Sequence, residues 1–103
     1  MGAAHSTELQ YVFQRIPALD TVPPFSAAQL ALSNQMIAYW TRFAATGSPD
    51  YGLSGDSGHA PYWPRFSAIR PDVQELVPGA SAPESSAQFA AAHKCAFWAS
   101  IGA

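Results

Sequence analysis

The sequence predicts a mainly α chain of about three helices and one short strand. Three observations carry that expectation. A 20-residue stretch, 27–46, has an apolar face at helical spacing and is bracketed by start and stop signals. A second alanine-rich stretch near the C-terminus has the same character. The residues between them are broken up by proline, glycine and serine, with 9 prolines and 7 glycines in 103 residues, and such punctuation favours turns over regular elements.

In chain order, a short helix is expected over Thr7–Phe13. Ser6 or Thr7 would cap it, Glu8 would suit the positive end of its dipole, and Pro17 limits its extension. The central helix is expected over Ala27–Thr46. Ser26 is a good N-cap and Gln29 follows three residues later, as in a capping box, while Phe25 and Leu30 flank the cap as a hydrophobic staple would. At 100° per residue, Leu30, Leu32, Ser33, Met36, Ile37, Trp40, Phe43 and Ala44 share an arc of about 160°. Gly47 and Pro49 end the helix. Ser48 to Ala60 reads as loop. Tyr62-Trp63-Pro64-Arg65-Phe66 is an aromatic clip with too much proline influence for a central strand. Val73–Val77, between Pro71 and Pro78, is expected to be the one strand. A third helix is expected over Ala87–Ser100, capped by Ser85 or Ser86, with Phe89, Ala92, Cys95, Ala96 and Phe97 on its buried face.

A single strand leaves its backbone groups without partners. The composition carries a similar message. Hydrophobic residues make up 49% of the chain and charged residues 12%, about half the usual charged share. A chain of this size that buries its own core needs more surface charge than this, so it either associates or belongs to a larger fold. Disorder is excluded by the apolar content. Nucleic-acid binding is not expected from five scattered basic residues and a net charge of −2, because a phosphate track needs concentrated positive charge. No membrane span is expected, since no apolar run approaches roughly 20 residues. No signal-peptide pattern is visible at Met1-Gly2-Ala3-Ala4-His5, and the sequence assigns no compartment.

Few residues carry chemistry. His5 sits among small residues just ahead of a helix, where its ring can turn toward another element. Taken by itself, a histidine near a terminus is ordinarily exposed and idle. Glu8 reads first as a helix-dipole residue. His5 and Glu8 with His59 or His93 do not have zinc-site spacing, and no metal or cofactor is expected. Gly52-Leu53-Ser54-Gly55-Asp56 and Gly55-Asp56-Ser57-Gly58-His59 approach a nucleophile-elbow pattern, but neither follows an apolar strand or opens a helix. Cys95 reads as a small buried hydrophobe. Trp40, Phe43, Trp63, Phe66, Phe97 and Trp98 read as core.

Four ordered blocks nevertheless resemble one family. Gly2-Ala3-Ala4-His5-Ser6-Thr7-Glu8-Leu9-Gln10-Tyr11-Val12-Phe13 resembles the histidine-bearing segment of type-B carboxylesterases, the cholinesterase and carboxylesterase family of the α/β-hydrolase fold. Residues 32–49, ending Phe43-Ala44-Ala45-Thr46-Gly47-Ser48-Pro49, resemble its long C-terminal helix. Trp63-Pro64 resembles its Trp-Pro clip, and Lys94-Cys95-Ala96-Phe97-Trp98 its last helix. The blocks span nearly the whole chain, so residues 1–103 are expected to be the C-terminal part of a carboxylesterase domain.

The resemblance implies hydrolysis of carboxylic esters, with a small-molecule ester as substrate. His5 would be the triad histidine, passing a proton between serine and leaving alcohol. Glu8 would hydrogen-bond one layer out from His5. Family order is serine, acid, histidine, so the nucleophile and acid regions are absent here and would lie upstream. The isolated chain is expected to be inactive, and an upstream half of the same fold is the expected partner. In secreted relatives a cysteine at the position of Cys95 can pair with one upstream; no second cysteine exists in this chain. The alternative reading is a small helical protein-interaction module with no catalytic role.

Overall fold

A computed structural model of the chain describes residues 5–14, 24–50 and 60–102. Its elements are α1 (Glu8–Phe13), α2 (Ala27–Thr46), β1 (Val73–Glu75), β2 (Ala82–Glu84), α3 (Ser86–Ala92) and α4 (Cys95–Ser100). The chain is mainly α, as expected, with four helices and two strands among the described residues rather than three and one.

The central helix has the expected boundaries because its signals are local. Gln29 N–H donates to the Ser26 hydroxyl at 3.3 Å, and Ser26 N–H donates to the Gln29 side chain at 2.9 Å. Gly47 closes the other end at φ 77°, its N–H bonded to the Phe43 carbonyl at 2.8 Å. That left-handed conformation is one a side chain resists. The buried face is rotated from the expected one. Leu32, Ser33, Met36 and Tyr39 are buried, an arc of about 120° at 100° per residue. Leu30, Trp40 and Phe43, expected inside, are exposed. Phe25 stacks on Tyr11 with ring centroids 4.8 Å apart.

Helix α1 starts at Glu8, and the expected cap does not form. Thr7 occupies the N-cap in the helical region (φ −68°, ψ −26°) and makes no side-chain cap bond. A capping side chain reaches the first free N–H groups from an extended residue. Ser6 is turned the other way, at φ 65°.

The strand expectation needs correction. Val73–Glu75 pairs antiparallel with Ala82–Glu84 in the register Val73 with Glu84, Gln74 with Pro83 and Glu75 with Ala82. Proline inside β2 disguised it, yet a two-stranded ribbon has an outer side where a missing N–H costs no ladder bond. Pro78 and Gly79 turn the hairpin, with Gly79 at φ 78° and Ala80 N–H bonded to the Val77 carbonyl at 3.1 Å. The Ser81 hydroxyl bridges both the N–H and the carbonyl of Val77, each at 3.0 Å.

The expected third helix is two helices. Lys94 takes a left-handed conformation, φ 54° and ψ 38°, between α3 and α4. The Lys94 carbonyl recovers partners by accepting from Phe97 N–H at 3.0 Å and Trp98 N–H at 3.2 Å. Ser85 caps α3 through a full capping box with Gln88. Neither helix buries a residue. Phe89, Phe97 and Trp98 are exposed, so the buried face expected there is absent from this structure.

Candidate active site

His5 is exposed in the turn that leads into α1, and Glu8 is exposed in the first turn of the helix. What fixes them in space is the attachment of α1 to α2. Ser33 is fully buried on α2, and its hydroxyl donates to the Tyr11 carbonyl at 2.5 Å. On the same contact, the Gln29 amide donates to the Tyr11 hydroxyl at 3.4 Å and the Gln14 amide to the Asn34 side chain at 2.7 Å. With the Tyr11–Phe25 stack, these bonds set the direction in which α1 carries the His5 turn. A small polar residue on an otherwise apolar helix face signals such a bond. Sequence reasoning placed Ser33 on that face without assigning it a partner.

A second constellation lies at the far end of α2. Trp63 N–H donates to both carboxylate oxygens of Asp50, at 3.0 and 2.8 Å. The buried Tyr39 hydroxyl donates to the Pro61 carbonyl. Tyr39 and Trp63 meet edge to face with centroids 5.0 Å apart, and Trp40 approaches Trp63 at 6.0 Å. Burial raises the Tyr39 phenol pKa above its ordinary value, the Asp50 carboxylate raises it further, and the Arg42 guanidinium opposes them. The result is the Trp63-Pro64 clip held against α2, with Pro64 buried. Beside it opens a cleft of about 830 Å³ lined by Tyr39, Trp40, Phe43, Trp63, Pro64 and Phe66 among others. The aromatic set is therefore not the core the sequence suggested. Trp63 is half-buried, while Trp40, Phe43 and Phe66 border open space.

The carboxylesterase family model matches residues 1–98, nearly the whole chain, His5 and the Trp63-Pro64 clip included. The chain belongs to the carboxylesterase family. Acetylcholinesterase of Bungarus fasciatus is 32% identical to it over 100 residues, covering 95% of this chain and 15% of that enzyme. Bile salt-activated lipase of Bos taurus is 48% identical over 54 residues, 52% of this chain and 9% of the lipase. Carboxylesterase 4A of Bos taurus is 37% identical over 71 residues, 64% of this chain and 10% of that protein. This carboxylesterase-family chain thus spans a small part, 9% to 15%, of these relatives. No solved structure matches it significantly.

Within the carboxylesterase chain, the described residues with chemical potential stand at separate places. His5 and Glu8 stand at the entry of α1, and the His93 ring lies against Phe89 with centroids 4.2 Å apart and planes tilted by 34°, at the end of α3. Cys95, expected to be buried, is an exposed free thiol at the start of α4. The serines of the two elbow-like motifs, Ser54 and Ser57, and His59 lie outside the described residues. Among the described residues, no group of three or more metal-binding side chains converges, and no helix is long and apolar enough to cross a membrane.

Proposed function

We propose that this chain supplies the C-terminal, histidine-bearing part of an α/β-hydrolase-fold carboxylesterase, and that His5 is the proton-transfer residue of its triad. The reaction is hydrolysis of a carboxylic ester. A serine Oγ from the rest of the domain attacks the ester carbonyl and forms the new C–O bond as the His5 imidazole takes the serine proton. The tetrahedral intermediate collapses, the C–O bond to the alcohol breaks, and the imidazole returns the proton to the departing oxygen. Water then repeats the sequence on the acyl-serine and releases the acid. A carboxylate from the rest of the domain would hold the imidazole tautomer, and backbone N–H groups there would bind the oxyanion. Glu8, the first residue of α1, would steady the turn that carries His5 rather than act as that carboxylate.

The observation that carries this reading is the family match running through His5, joined to the exposed position of that residue in the turn ahead of a helix anchored by Ser33. An imidazole suits the task because histidine titrates near neutral pH. A self-sufficient interaction module is not favoured by a described core whose buried apolar side chains are Leu32, Met36 and Tyr39, with Pro64 beside them.

The test is complementation. The chain is produced together with a carboxylesterase lacking its own C-terminal part, and turnover of a chromogenic ester is measured. His5-dependent hydrolysis is expected, with His5→Ala lowering kcat by about 10⁶-fold, the scale set by loss of a triad histidine. The chain alone is expected to be inactive. Hydrolysis by the chain alone, or hydrolysis by the pair that survives His5→Ala, would refute the assignment.

A further inference from the structure

Helix α1 does not hold itself in place. It has six residues, no side-chain cap bond at its N-terminus and no buried residue, and a helix that short is marginal in water by itself. Yet His5 reaches its place through this helix, because the turn that carries it leads straight into Glu8. Among the described residues, the support comes from α2 and converges on Tyr11. Gln29 and Ser33 stand four residues apart on α2, one above the other on the same face. The fully buried Ser33 hydroxyl donates to the Tyr11 carbonyl at 2.5 Å. That carbonyl lies in the last turn of α1, where a helix leaves its carbonyls without intrahelical partners. The Gln29 amide nitrogen donates to the Tyr11 hydroxyl at 3.4 Å, while the oxygen of the same amide accepts from Ser26 N–H at 2.9 Å. One side chain therefore ties the cap of α2 to α1. The Tyr11 ring is held as well, stacked on Phe25 with planes 21° apart. Backbone, hydroxyl and ring of one residue are each fixed to the frame of α2, a 20-residue helix capped at both ends.

We propose that Tyr11, Ser33 and Gln29 are positioning residues for the ester hydrolysis. Together they set where the His5 imidazole stands, and so the rate of its proton transfers. The inference rests on the functional reading above and deepens it by naming what aims the histidine. Its physical basis is leverage. Six residues at helical rise span about 9 Å, so a tilt of about 10° at Tyr11 carries the His5 backbone through roughly 1.5 Å. A misplacement of about 1 Å at a reacting group can cost up to roughly 10²-fold in rate. Residues that act through a helix, and not on the substrate, change kcat and spare KM.

The test uses the complementing pair described above, with kcat taken per mole of assembled complex. Ser33→Ala should lower kcat about 10-fold with KM unchanged, and Tyr11→Phe, which keeps the ring against Phe25, about 3-fold. The full chain alone supplies a second readout that needs no turnover. Amide ¹⁵N order parameters of residues 5–9 should fall from about 0.85 in the parent toward about 0.6 in Ser33→Ala, with those of α2 unchanged. Residues 5–9 no more ordered in the parent than in Ser33→Ala would overturn the inference, whatever the turnover. So would an unchanged kcat in both variants, or a rise in KM in place of the fall in kcat. Fewer complexes, each with the parental kcat, would also overturn it, because that is the mark of a bond that serves folding alone. An inactive pair, or hydrolysis that survives His5→Ala, would overturn the catalytic reading and the positioning role with it. Loss of order in Ser33→Ala would then still establish Tyr11 as the anchor of α1, which separates the two failures.

Discussion

Replacing Ser33 with alanine should loosen α1 from α2 while leaving α2 itself formed. The Ser33 hydroxyl is fully buried and bonds the Tyr11 carbonyl at 2.5 Å. Alanine removes the donor, keeps the helix propensity and opens almost no cavity, so the cost is that of the abandoned acceptor. A buried acceptor left without a partner costs about 1–3 kcal/mol. Tyr11 is only half-buried, and water can partly replace the lost donor, which places the loss near the lower end, about 1.5 kcal/mol. That is roughly a tenfold shift in the docking equilibrium. The Tyr11–Phe25 stack reports docking directly, because centroids 4.8 Å apart shift the Tyr11 ring protons in an NMR spectrum. In Ser33→Ala those resonances should move toward their positions in a free peptide, while amide signals of residues 34–46 stay in place. Superimposable Tyr11 resonances in variant and parent would refute the reasoning, and so would collapse of the α2 signals along with them.

Three further outcomes are expected. Asp50→Asn keeps one acceptor for the Trp63 N–H but loses the charge and the second oxygen, so the clip should weaken by about 1 kcal/mol, read as a lower denaturation midpoint with unchanged helix content. For Tyr39, the raised phenol pKa of the folded chain means that the unfolded chain ionises first. Its contribution is therefore fully present below about pH 10 and is lost as pH rises through the higher folded value; the fall in Tm between pH 9 and 11 should be shallower in Tyr39→Phe, and identical slopes would count against it. The exposed Cys95 thiol should react stoichiometrically with a disulfide reagent in native buffer, and a thiol that reacts only after denaturant is added would contradict its position.

The parts of the fold that were legible from the sequence are those whose causes are local. Ser26, Gln29 and Gly47 each act within one turn, and they set the ends of α2 at Ala27 and Thr46 as expected. Elements whose causes are tertiary were harder to read. β2 exists because Ala82–Glu84 finds β1 across a turn, and Pro83 hides it from any reading based on strand propensity. The break at Lys94 has neither glycine nor proline to announce it, and its left-handed conformation costs an ordinary residue about 1–2 kcal/mol. Tyr39 falls about 20° outside the arc read as the apolar face, at 100° per residue, yet it is the most buried of the large side chains, with its hydroxyl on the Pro61 carbonyl. His5 stood out through the resemblance of its neighbours to a family, not through any local geometry.

The misread residues share a cause that bears on function. Phe43, Phe66, Phe97, Trp98 and Cys95 were expected inside because apolar periodicity records which faces a sequence is built to bury. In this chain those faces are open. Periodicity in α2 thus points two ways at once: Leu32 and Met36 are buried, while Trp40, which approaches Trp63, and Phe43, on the same stripe, are exposed. A sequence shaped only for its own small core would have placed charge at those exposed positions, since few large apolar side chains are needed on the surface of a self-contained domain. The function proposed above asks His5, exposed in the turn ahead of an anchored helix, to meet groups supplied by the rest of the domain. If complementation buries Phe43 and Phe66 and leaves His5 idle, the apolar stripe and the imidazole have separate explanations, and the catalytic reading loses its support.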